Sequence, residues 1–89
     1  MKKIKINRMF LMKLLTFYST EIHKEFAGSM VTTSLIQLMN QKLDNIVSYH
    51  RSIEPLNDYW FIDVRLVYDI ERNQLDIELV TPEQLEFVD

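Results

Sequence analysis

Residues 64–80, VRLVYDIERNQLDIELV, alternate apolar and polar side chains on both sides of a turn-like centre. A period of two over such a length points to a β-hairpin with one apolar face. The even positions Trp60, Ile62, Val64, Leu66, Tyr68 and Ile70 of the first arm join the odd positions Leu75, Ile77 and Leu79 of the second on that face. Pairing Ile70 with Leu75, Tyr68 with Ile77 and Leu66 with Leu79 buries all of them together. The connection is then Glu71-Arg72-Asn73-Gln74, with Asn73 as the left-handed turn residue. The same register sets Asp69 opposite Asp76 on the outer face, with Asp63, Glu71 and Glu78 nearby. Tyr59, Phe61, Val67 and Val80 fall among these acids.

The cover for the apolar face comes from upstream. In the stretch 8–27, Leu11, Leu15, Tyr18, Ile22 and Phe26 recur at steps of three and four, the spacing of an amphipathic helix. Phe10, Leu14 and Phe17 lie beside that stripe, so the first half of the helix is apolar around more than half its circumference. Gly28 closes it. A second helix runs to about Ser52 with Leu35, Ile36, Met39, Leu43, Ile46, Val47 and His50 on one face. Glu54 before Pro55 ends it, because the residue preceding proline disfavours helical geometry. Residues 2–7, KKIKIN, alternate like a short edge strand. Thr81, Pro82 and Gln84 have the spacing of a helix start with a capping box, which predicts a short C-terminal helix. The expected fold is one α+β domain over residues 1–89. Two antiparallel helices pack on a small antiparallel sheet, in the order (β)ααββ with that C-terminal helix.

Composition removes several classes of function. There is no cysteine, so thiolate metal sites and cysteine nucleophiles are excluded, and a reducing compartment suits the chain. Gly28 is the only glycine, which rules out a glycine-rich phosphate loop. The N-terminal run MKKIKINRMFLMKLLTF imitates a secretory signal, but Lys13 interrupts it and no small-residue cleavage site follows. It is far shorter than the roughly 20 apolar residues that span a bilayer. The expectation is a cytoplasmic protein without a membrane span.

Neither histidine suggests catalysis. Glu21, His23 and Glu25 are two apart, which on a helix points them in different directions. His50 lies in an apolar stripe, where a packed, hydrogen-bonded ring is the usual outcome. No serine, histidine and acid converge, so an enzyme is not expected, and no cofactor or metal is implied.

Charge is distributed unevenly. Residues 1–53 carry eight Lys/Arg and three Asp/Glu, a net of +5, while residues 54–89 carry two and ten, a net of −8. Such asymmetry suggests a charged partner. The expected function is a non-catalytic binding protein, an inhibitor or regulator that occupies a basic surface of another protein. Asp63, Asp69, Glu71, Asp76, Glu78 and Phe61 are the candidate contact residues. Small acidic inhibitors carried by phages and other mobile elements, nucleic-acid mimics and anti-CRISPR proteins among them, share this size and charge; no motif supports the analogy. The alternative is a nucleic-acid-binding regulator using the Lys/Arg at 2, 3, 5, 8 and 13. It lacks a reading helix or interleaved aromatics. The broad apolar arc of the first helix also suggests a homodimer formed through it.

Overall fold

The computed structural model describes residues 3–89 and has an α+β fold. β1 (Ile4–Ile6) leads through Asn7 into α1 (Arg8–Phe26), which is followed by α2 (Thr33–Ile53). A 3-10 turn (Asp58–Phe61) precedes β2 (Val64–Asp69) and β3 (Gln74–Leu79). A second 3-10 turn (Pro82–Gln84) then leads into β4 (Leu85–Phe87).

Both helices begin at side-chain caps. The Asn7 carboxamide oxygen accepts from the N–H groups of Met9 and Phe10, and Thr32 Oγ1 accepts from Leu35. Gly28, at φ 80°, provides the left-handed residue that turns the chain out of α1. The helices are antiparallel: Glu25 meets Lys42 at 3.2 Å, while Phe17 meets the His50 ring at 5.5 Å. β2 packs over α2 and β3 over α1. One buried cluster unites Ile6, Leu11, Leu14, Tyr18, Ile22, Met39, Leu43, Ile46, Val47, Trp60, Ile62, Leu66 and Leu85, flanked by half-buried Leu75, Ile77 and Leu79.

Three expectations need correction. First, the hairpin register differs by two residues. Tyr68 faces Leu75, Leu66 faces Ile77 and Val64 faces Leu79. A shift of two keeps every side chain on its expected face, but it places Ile70 in the turn, 82% exposed instead of in the core. Asp69 now faces Gln74, and Asp76 faces Val67, so the two acids are not opposed. Asn73 does take the left-handed conformation, with φ 51°.

Second, the first arm begins at Val64. Tyr59, Trp60 and Phe61 belong to a 3-10 turn, so Tyr59 and Phe61 do not join the outer row of the sheet. Third, residues 85–87 are a strand and not a helix. They pair in parallel with β1, Ile4 beside Leu85, Lys5 beside Glu86 and Ile6 beside Phe87. No capping box forms, because Thr81 makes no side-chain cap and the Gln84 amide reaches Asp63. The described residues therefore form two two-stranded sheets.

Candidate functional site

The outer face of the hairpin follows from the ladder. Val80 N–H donates to the Asp63 carbonyl at 2.9 Å, so the odd residues of β2 bond to β3. With Asp63 and Arg65 exposed and Leu66 buried, the odd side chains point away from the helices. Asp63, Arg65, Val67 and Asp69 form one row; Gln74, Asp76, Glu78 and Val80 form the other. Four carboxylates and one guanidinium leave this face with a net charge of −3.

The candidate contact residues separate into two groups. Asp63, Asp76 and Glu78 are exposed on the sheet face. Asp63 accepts from the Gln84 amide at 3.4 Å and Asp76 from the Gln74 amide at 3.0 Å, while Glu78 lies directly across from Arg65. Asp69, half-buried, has a structural task as well. Its carboxylate accepts from the N–H groups of Glu71 and Arg72 at 3.1 and 3.3 Å and pairs with the Arg72 side chain at 3.7 Å. That arrangement ends β2 and shapes the turn. Glu71 is exposed within the turn. Phe61 is set apart from the acids, with the Arg51 guanidinium 4.5 Å over its ring.

The row spacing decides how the acids interact. Alternate residues on one strand are about 6.8 Å apart and diagonal cross-strand neighbours about 7–8 Å. Asp76 and Glu78 are related in the first way, Asp69 and Asp76 in the second. Carboxylates at such distances in water repel weakly, so the face can stay ionised. Val67 is half-buried and Val80 is 46% exposed among them, giving the face apolar area as well as charge.

The sequence reading missed a second constellation at the end of α2. His50 stacks on Trp60 with centroids 4.3 Å apart and 16° between planes. Trp60 Nε1 donates to Glu54 Oε2 at 2.7 Å, and its carbonyl accepts from Arg51 Nη2 at 2.8 Å and Nε at 3.2 Å. The Trp60 and Asn57 donors hold the Glu54 carboxyl below its ordinary value. The spacing of His50, Arg51 and Glu54 put them on one turn, but their common partner comes from the irregular segment beyond Pro55, which no periodicity describes. Tyr18 lies fully buried beside this cluster. Its hydroxyl has no partner among the described residues, and burial pushes its pKa up to about 12 against the opposing charge of Arg51.

Glu21, His23 and Glu25 do not converge. Glu21 pairs with Lys24 at 3.1 Å, and Glu25 pairs with Lys42. Among the described residues no three His, Asp or Glu side chains are grouped to hold a metal, and no helix is long and apolar enough to cross a membrane.

The basic N-terminal region is partly neutralised within the chain. Arg8 Nε meets Asp89 Oδ2 at 2.7 Å, and the Arg8 guanidinium lies 4.0 Å over the Phe87 ring. Lys5 runs beside Glu86. No family model, curated protein or solved structure matches the chain.

Proposed function

We propose that the protein is a non-catalytic binding module, an inhibitor or regulator that lays the outer face of β2 and β3 on a basic surface of a partner protein. One observation carries this reading: exposed Asp63, Asp76 and Glu78 are interleaved with half-buried Val67 and exposed Val80 on one face of the hairpin. Residues in such a lattice are spaced much like phosphates along a nucleic-acid strand, so a groove that binds a backbone is a suitable receptor. Inhibitors of this size and charge carried by mobile elements act in that manner, and the same origin is proposed here. The competing role for the basic N-terminus is less favoured, since Arg8 is engaged by Asp89 and Lys5 faces Glu86. Self-association through α1 is compatible with the proposal, because it leaves the acidic face open.

The test is a triple variant, Asp63→Asn, Asp76→Asn and Glu78→Gln, with Asp69 retained because it caps the turn. Wild type and variant are used to capture proteins from extracts of the native cell, and affinity is measured for those identified. The variant is expected to melt with the wild type and to bind at least about tenfold more weakly, equivalent to about 1.4 kcal/mol. Raising the salt should bring the two together. Equal affinity at low salt would show that the acids only solubilise the face.

A further inference from the structure

β2 has a free edge. Its odd residues bond to β3, so the main-chain groups of Val64, Leu66 and Tyr68 point the other way. Such an edge is a template for another strand. Here it borders a groove of about 770 Å³ between the strand and the N-terminal half of α2, with Val31, Thr33 and Ile36 on the helix side.

The width of this ledge has a simple cause. Two paired strands lie about 4.8 Å apart, whereas packed helices lie about 8–10 Å apart. A two-stranded hairpin on a two-helix layer therefore leaves helix uncovered by about one strand's width. The fold also marks the place that a neighbouring strand would take. The Asn40 side-chain carbonyl accepts the Leu66 N–H at 2.9 Å, while its amide donates to the Ile36 carbonyl at 3.2 Å. A side-chain amide thus stands where the carbonyl of a third strand would stand. It is a single group, and among the described residues the main chain at Val64 and Tyr68 on either side has no such substitute.

We propose that this edge takes an extended peptide segment of a partner protein, docked as a third strand with apolar side chains down on α2 and basic side chains up beside Asp63 and Asp69. Alternation follows from strand geometry: every second residue faces Ile36 and Val31, and those between join the outer face. Charge follows from complementarity, since the row nearest the incoming strand reads Asp63, Arg65, Val67, Asp69. Lysine or arginine suits both ends, and an acid suits the position beside Arg65. A second copy of β2 is a poorer occupant, because its own helix layer would meet the overhanging α2. The docking rests on the edge alone; the basic character of the peptide rests on the function proposed above.

The experiment is an amide NMR titration of the whole chain with a synthetic peptide of alternating valine and lysine carrying one central glutamate. Binding should shift the amides of Val64, Leu66 and Tyr68 and the Asn40 side-chain amide. N-methylation of the peptide nitrogens that face β2 should weaken binding about tenfold or more, and methylation of the intervening ones should not. If shifts map to the outer face with no alternation in the methylation series, the docking is overturned and the charge reading stands. If a peptide with glutamate in place of lysine binds the edge equally well, docking stands and the basic character is overturned. No shift at the edge by about 1 mM peptide overturns the proposal. So does movement of the same amides with protein concentration alone, which would assign the edge to a second copy.

Discussion

Trp60 is fixed by three side chains from the end of one helix. His50 stacks on its ring, Arg51 holds its carbonyl and Glu54 accepts its indole N–H. At 9% exposure it packs between Tyr18 of α1 and His50 of α2, filling space that no smaller residue would fill. Trp60→Ala is therefore expected to cost roughly 3–5 kcal/mol in urea unfolding, since a large buried aromatic leaves a cavity. The hydrogen bond adds a dependence on pH. The folded Glu54 carboxyl sits below its ordinary 4.5, so its contribution is complete above that value and is lost as pH falls through the lower folded one. Trp60→Phe keeps the stack and removes the first cause of the shift. The wild type should then lose more stability than this variant on acidification below pH 4.5, measured as urea midpoints. Parallel midpoints for the two proteins would remove the assigned role of the bond. The sequence reading had Trp60 inward for the wrong local reason, as an even strand position, and could not anticipate the Glu54 bond, which depends on a turn without a period.

At the scale of elements, periodicity carried most of the information. The stripes of α1 and α2 and the apolar face of the hairpin fall where the spacing placed them, because burial of one face acts on every residue along an element. Register and termini depend on fewer groups. Asp69 captures the N–H groups of Glu71 and Arg72 and closes β2 one residue before Ile70, which moves the whole pairing by two. The sequence held that signal, an aspartate followed by polar residues and Asn73, but it competes with Ile70, whose apolar side chain extends the alternation. Residues 81–87 show the opposite balance. Local capping chemistry favoured a helix, and the need of β1 for a hydrogen-bonded neighbour decided in favour of a strand. The acidic face was legible as a set of residues, while Arg65 beside Glu78 and the structural role of Asp69 emerged only with the correct register. β4 supplies its own test. Leu85 is buried beside Ile4, whereas Phe87 is exposed beneath Arg8. Leu85→Ala should cost about 2–5 kcal/mol, and Phe87→Ala clearly less despite the larger side chain removed. Equal losses would mean that residues 85–87 do not pair with β1 as described.

For the molecule as a whole, surface area is the informative quantity. The chain exposes 6439 Å² with a radius of gyration of 13.7 Å. A compact monomer of 10.7 kDa would expose about 5,500 Å², and one of 89 residues would have a radius near 12 Å. The excess of roughly 900 Å² is about what one partner contributes to a standard interface of about 800 Å² per side. A two-fold dimer must bring a surface patch against its own copy. The outer hairpin face is unsuited to this, because Asp63, Asp76 and Glu78 would meet like charges. The start of α1 is better suited: Met9 and Met12 are 66% and 69% exposed, and the neighbouring Arg8 is neutralised by Asp89. We expect light scattering at tens of micromolar to give twice the mass of the chain, with a melting temperature that rises with concentration as mass action requires. Met12→Lys should give the single-chain mass and a melting temperature independent of concentration, because a solvated ammonium is tolerated on an exposed helix position but not inside an apolar interface. A wild type that stays at the single-chain mass would eliminate the dimer. A Met12→Lys protein that still dimerises would move the contact to another face.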